Sequence, residues 1–359
     1  MGYRYIGSKT RIVGEIITEI KKLIPNGGIV ADIMCGSGAV ALELRKNGYT
    51  VIATDVMSQA YHITRVKVLL QESPPFKGVK KYLIPTKGQA LLTEHLGYTA
   101  VIQTLNNLPL TKGYFWREFS PAGKPHNDSE ARKYFSAENA QKIDAARNFI
   151  KKLRKENAIT DIEYSLLIHD LIMAANDAAN IAGTYGHYLS KFIPRALQPL
   201  KFIPTKFERG GSQNKHKIIN GYAEELASTI KADLCYIDPP YMKRQYAANY
   251  HILETIARGD EPEAIGKSGL RPWRDQYSDF CSKVKIRHAF EKIITNMKCE
   301  IFLISYSSEG LLSKEQMIDF LQKFGKVSVR EFSNKRFKSR NEEAKEDVME
   351  YLFYLKRNM

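Results

Sequence analysis

Ile29-Val30-Ala31-Asp32-Ile33-Met34-Cys35-Gly36-Ser37-Gly38-Ala39-Val40-Ala41 decides the fold, because an apolar run gives way to glycines and then to helix-forming residues. Residues 29–34 read as a buried strand, and the Gly36-Ser37-Gly38 turn opens a helix running to about Asn47, where Gly48 ends it. Thr50 to Val56 reads as a second strand carrying Asp55, nineteen residues beyond Gly36. Strand, glycine turn, helix, strand is the opening of a Rossmann-like α/β sheet.

The same stretch satisfies Gly-x-Gly-x-x-Ala, and an acid at the distance of Asp55 can hold ribose hydroxyls. A nicotinamide dinucleotide and S-adenosylmethionine both contain adenosine, so both fit these residues taken alone. A second motif, far downstream, ranks methyl transfer ahead. Ala232 to Ile237 is strand-like and ends on Asp238-Pro239-Pro240-Tyr241. Methylating an aromatic amino group requires drawing back a lone pair delocalised into the ring. Two acceptors converging on the N–H groups achieve this. A carboxylate supplies one, and the next carbonyl, held by successive prolines with fixed φ and no donors, supplies the other. Tyr241 is expected to stack on the base. Such preorganised acceptors act on a nitrogen that becomes positive in the transition state. An ordinary post-strand turn would use the same residue types, since Asp and Pro are common in turns. No hydride-transfer site beside a catalytic His accompanies the glycine turn.

A third element stands near the start. Tyr5-Ile6-Gly7-Ser8-Lys9 precedes an amphipathic helix with Ile12, Val13, Ile16, Ile17, Ile20, Leu23 and Ile24 on one face, and Ser8 is expected to cap it. Tyr-Ile-Gly-Ser-Lys, then Asp-Ile-Met-Cys-Gly-Ser-Gly, then Asp-Pro-Pro-Tyr resembles the Dam-like, alpha-group family of DNA adenine-N(6) methyltransferases. The resemblance implies that Tyr5, Gly7, Lys9, Asp32, Gly36, Ser37, Gly38 and Asp55 bind S-adenosylmethionine. It assigns catalysis to Asp238, Pro239, Pro240 and Tyr241. The resemblance implies that the Gly-Ser-Gly turn approaches the donor's methionine part, with Asp32 near its ammonium or the adjoining loop. Met34 stands where the family usually has Phe, and Asn220-Gly221-Tyr222 stands where many members carry an Asp. Glu300 to Tyr306 and Val348 to Leu355 read as later strands. Gln245 to His251 is similar to a loop that closes the base pocket in a FokI-type subset; His251 reads equally well as a polar helix residue.

Composition agrees with a nucleic-acid partner. The 359-residue chain is 43% hydrophobic, with a net charge of +15, and a surface that basic attracts polyanions. Between 191 and 217, lysine or arginine stands at 191, 195, 201, 206, 209, 215 and 217 against the single acid Glu208, with Phe192, Phe202 and Phe207 interleaved. Asn334 to Arg340 is a second basic run. Lys191, Arg195, Lys206, Arg209, Lys335, Arg336, Lys338 and Arg340 are therefore the expected DNA contacts. Trp116, Arg117 and Trp273 suit base stacking or readout, although aromatics in a domain of this size are more often core.

Cys35, Cys235, Cys281 and Cys299 form no CxxC pair, so neither zinc nor a disulfide framework is expected, and a reducing prokaryotic cytoplasm fits. No apolar run of membrane-spanning length or signal peptide is read from the sequence. The expected organisation is a discontinuous catalytic domain, 1–57 and 218–359, interrupted by a largely helical target-recognition domain, 58–217. Its strongest helical patterns are Asn139 to Glu156 and Asp161 to Ala182, the latter ended by Gly183. The functional expectation is site-specific methylation of double-stranded DNA with base flipping, paired with a restriction endonuclease. Adenine methylation of RNA, or nucleic-acid binding by an inactive transferase fold, are the alternatives.

Overall fold

The computed structural model describes residues 5–84, 97–126, 129–212, 215–334 and 348–358. A seven-stranded sheet has the order β3-β2-β1-β4-β5-β7-β6. Its strands are β1 (Ile29–Ile33), β2 (Thr50–Asp55), β3 (Lys217–Asn220), β4 (Leu234–Ile237), β5 (Ile301–Ser307), β6 (Gly325–Asn334) and β7 (Val348–Arg357). The first five run parallel, whereas β7 is antiparallel to both β5 and β6. Every residue of β4 is buried and only Ile29 of β1 is not, as expected of parallel strands covered on both faces.

Local sequence explains the elements beside the sheet. The helix Val13–Leu23 buries Ile16, Ile17 and Ile20 on one face. Ser8 does not cap it: the cap position is Ile12, and Ser8 Oγ instead lies 2.8 Å from Thr10 Oγ1 and 3.3 Å from Ser37 Oγ. The reason is an intervening 3-10 turn, Lys9–Arg11, that displaces the helix start. After the glycine turn, Ala39–Lys46 forms the second helix. Ile286–Asn296 and Lys314–Leu321 contribute Phe290, Ile293, Ile294, Met317 and Phe320 to a core shared with Phe302 and Phe353 of the sheet. Truncating a side chain as enclosed as Phe290 to Ala costs about 3–5 kcal/mol.

Two compact units emerge. One contains 7–57, 210–246 and 277–359 and carries the sheet; the other contains 1–6, 58–209 and 247–276. The sequence-based division puts 1–57 and 218–359 in one domain; here residues 1–6 and 247–276 group with the second unit, and 210–217 with the first. In the second unit His251–Arg258 packs against Ser58–Leu69 and Asp161–Ala178, which draws 247–276 there. This unit also contains Gly97–Asn107, Tyr114–Phe119 and Ala137–Lys155, and its described residues form no strand. The helix Asp161–Ala178 starts with a Thr160–Glu163 capping box and ends at Ala178, short of Gly183. The Arg195 guanidinium closes that end by donating to the carbonyls of Asn176, Asp177 and Ala179. No helix among the described residues is long and apolar enough to cross a membrane.

Candidate active site

β1 and β4 are neighbours where the strand order reverses, the point at which open α/β sheets bind ligands beyond the carboxyl ends of their strands. Ile33 registers with Ile237. The segments leaving both strands, 34–38 and 238–241, therefore start from one edge.

At that edge Lys9 is buried, with 5% of its side chain exposed, and its Nζ lies 3.3 Å from Asp238 Oδ1 and 3.1 Å from Glu350 Oε2. The same Nζ lies 5.3 Å from the centre of the Tyr241 ring. Burial works against the ammonium, but Asp238, Tyr241 and Glu350 outweigh it and hold the Lys9 pKa above its ordinary value. Lys9 is therefore a cation across the accessible pH range. Asp238 moves in the other direction: burial and Glu350 raise its carboxyl to about 6, although Lys9 opposes them. Tyr241, pushed up to about 12 by burial, stays protonated. Its ring meets Tyr306 edge-on at 5.9 Å, and its carbonyl accepts the Leu311 N–H at 3.1 Å.

The glycine turn needs backbone freedom. Gly36 and Gly38 have φ of +51° and +69°, values that L side chains adopt at a cost. Met34, at the family's Phe position, also has a positive φ of 65°, a strain of about 1–3 kcal/mol that a well-packed site sustains. Gly36 N donates to Asp55 Oδ2 and Met57 N to Asp55 Oδ1, each at 2.8 Å. Asp55 thus braces the loops after β1 and β2 with both oxygens. Asn220, near the family's missing Asp, donates its Nδ2 to the Asp55 and Val56 carbonyls at 2.8 and 3.1 Å.

Asp32 is the least comfortable group. It is 1% exposed, and its Oδ2 meets no hydrogen-bond donor among the described residues. Burial, together with Asp238 and Asp55, raises its carboxyl to about 8. A buried oxygen left this way is costly unless a donor arrives. Gly7, φ +72°, sits where an added Cβ would lie 3.0 Å from the Tyr246 hydroxyl and 3.8 Å from that of Tyr241. A side chain there would crowd both phenols.

The structure thus brings Gly7, Lys9, Asp32, Gly36, Ser37, Gly38, Asp55 and Asp238 to Tyr241 into one unit. Tyr5 belongs to the other, stacked on Tyr250 at 5.1 Å, and Ile6 N donates to the Tyr250 hydroxyl. His251 is fully buried in that second unit, its Nε2 2.9 Å from the Tyr185 carbonyl, and burial pushes its pKa down to about 3. It is a neutral structural donor.

Of the expected DNA contacts, Lys191, Lys206 and Arg209 are exposed, whereas Arg195 is committed to the helix end. Lys335, Arg336, Lys338 and Arg340 lie outside the described residues. Trp116 and Trp273 are half-buried. Glu350, absent from the residues that sequence motifs single out, is the addition. Its one visible signal is an acid inside the apolar strand Val348–Arg357. No group of three or more His, Cys, Asp or Glu with metal-holding geometry occurs among the described residues.

Residues 5–320 match the family model of D12 class N6 adenine-specific DNA methyltransferases, and the chain belongs to that family. The type II methyltransferase M.FokI of Planomicrobium okeanokoites is 32% identical over 99% of this chain and 53% of its own length. M.NlaIII of Neisseria lactamica is 31% identical over 98% of this chain and 99% of its own, and M.CviAII of Paramecium bursaria Chlorella virus 1 is 33% identical over 98% and 97%. The chain therefore spans about half of the FokI relative and nearly the whole of the other two.

Proposed function

We propose, from membership of the D12 class, that this chain methylates the 6-amino group of adenine in double-stranded DNA, as the modification half of a restriction–modification system. S-adenosylmethionine is the proposed donor, and when bound it supplies an electrophilic methyl group on a sulfonium, a good leaving group. The residues present suit it. The partnerless Asp32 Oδ2 calls for a donor such as the ligand's ammonium. The positive-φ glycines at 36 and 38 allow close backbone approach. Asp55 ends β2 at the same edge, where an acid can meet ribose hydroxyls.

The observation that carries the reading is Asp238, held by Lys9 at the switch point of the sheet. In the proposed reaction, the Asp238 carboxylate and the Pro239 carbonyl accept the two N–H groups of adenine N6. With the donor bound, the lone pair so freed would take the methyl group, and the electrons of the methyl–sulfur bond would stay with the leaving sulfur. The surplus proton on N6 then passes to Asp238 and on to water. Tyr241 stacks on the base, which must first leave the duplex. Lys9 orients Asp238, and water exclusion strengthens both contacts. The helical unit, with exposed Lys191, Lys206 and Arg209, is the proposed recognition domain.

The test is transfer of tritium from labelled S-adenosylmethionine to mixed-sequence duplex DNA and, separately, to total RNA, followed by digestion to nucleosides. Label in N6-methyldeoxyadenosine supports the reading. Label arising only from RNA replaces it with an RNA substrate, and absence of label from both polymers overturns it.

A further inference from the structure

We propose that Glu350 is a positioning residue: by sharing the Lys9 ammonium it prevents that cation from neutralising Asp238, and so preserves the carboxylate as a strong acceptor for adenine N–H. This rests on the proposed transfer reaction. Lys9 Nζ is almost equidistant from the two acids, 3.1 Å from Glu350 and 3.3 Å from Asp238, with side-chain exposures of 5% for Lys9, 8% for Glu350 and 19% for Asp238. In so dry a place each pairing is strong, and an ammonium donating to one carboxylate is partly withdrawn from the other.

Apart from Lys9, the surroundings of this position are largely apolar. Glu350 registers with Ser307 of β5 and Phe332 of β6, and Leu352, Phe353 and Leu355 of its own strand are buried apolar side chains. A carboxylate there is expensive to desolvate, which fits a role in chemistry better than one in packing. The titratable groups around Asp238 come from several elements. Lys9, from the 3-10 turn, and Glu350, from β7, act on Asp238, and Asp238 in turn raises Asp32 of β1, Tyr236 of β4 and Tyr241 of its own loop. Asp55 acts on Asp32, and Glu309 on Tyr241. Of these, Glu350 is the acid hydrogen-bonded to Lys9.

Glu350→Gln keeps a side-chain oxygen for Lys9 and deletes the charge. With the like charge gone, ionised Asp238 becomes easier to maintain. The acid limb of the kcat–pH profile is then expected to move down by about one pH unit, while the plateau kcat falls about tenfold with KM for DNA unchanged. Glu350→Asp, which retains the charge, is expected to keep the wild-type limb. A limb unmoved in Glu350→Gln, or moved equally in Glu350→Asp, overturns the inference. If the wild-type protein transfers no methyl group to DNA, the proposed function fails instead. Carboxyl-13C titration of Asp238, assigned with Asp238→Asn, then reads the same downward shift without turnover, and an unchanged titration midpoint rejects the role of Glu350.

Discussion

Lys9 Nζ lies 3.3 Å from Asp238 Oδ1, although one residue precedes the first α-helix and the other directly follows the fourth strand. The family resemblance puts Lys9 against the methyl donor. Its hydrogen-bonding partners here are acids, so its removal should act on the carboxylate first. Lys9→Met withdraws the group that lowers the Asp238 pKa, and the acid limb of kcat should rise to higher pH, opposite to the direction expected for Glu350→Gln. A stopped-flow or steady-state profile in which only donor affinity changes would contradict this.

Asp238 gives the wild-type pH dependence. Its carboxyl is raised by burial to about 6, and its acceptor role needs the ionised form. Activity should therefore hold on the alkaline side and fall as pH drops through about 6. Asp238→Asn converts one acceptor oxygen into a donor, and transfer should fall about 10²- to 10⁴-fold, with DNA affinity kept. Retained turnover, measured as label per enzyme per minute, would remove Asp238 from the chemistry.

Asp32 sets a second, distinct dependence. In the free protein its carboxyl is raised by burial to about 8, whereas a donor's ammonium beside it would favour the anion. Binding then releases a proton, so donor affinity should strengthen as pH rises from 6 to 8. Asp32→Asn should bind the donor more weakly and lose that slope. The sign for folding is opposite. A raised carboxyl contributes stability that is fully present below its unfolded pKa and is lost as pH rises through about 8. Wild-type stability should decline from about pH 4 to about pH 8 and level off above it, and that of Asp32→Asn should be flatter. Calorimetric titration and thermal melts at four or five pH values would check both.

How much of this is legible in the sequence depends on the range of the interaction. The strand, glycine turn, helix and second strand appear where local pattern puts them, because burial and backbone freedom act within a few residues. β3 and β6 escape that pattern: Lys217–Asn220 has just two apolar residues between polar ones, and Gly325–Asn334 carries charges at Lys326, Arg330 and Glu331. Asp238 can be read from chemistry, but not its neighbour Glu350, because β7 reaches Lys9 only through sheet order. Residues 247–276 group differently from the sequence-based division for the same reason. Their helix is locally plain, and what decides its unit is packing against Ser58–Leu69 and Asp161–Ala178.

Arg195 shows that a basic run does not identify its own contacts. Its guanidinium donates to three backbone carbonyls at the end of Asp161–Ala178, which aligns a cation with the negative end of the helix dipole. Charge-assisted bonds of this kind are worth about 1.5–3 kcal/mol each. Arg195→Ala should therefore lower the melting temperature while leaving the salt dependence of DNA binding as it was. Lys206 and Arg209 are exposed in the same run. Substituting both by Ala should leave the melting temperature nearly unchanged and reduce the slope of log K against log salt by about two, close to one for each phosphate no longer neutralised. Filter binding across a salt series separates the two variants. If Arg195→Ala flattens the slope without destabilising the protein, its helix-capping role is wrong. If the double variant leaves the slope intact, the proposed phosphate track does not include these residues.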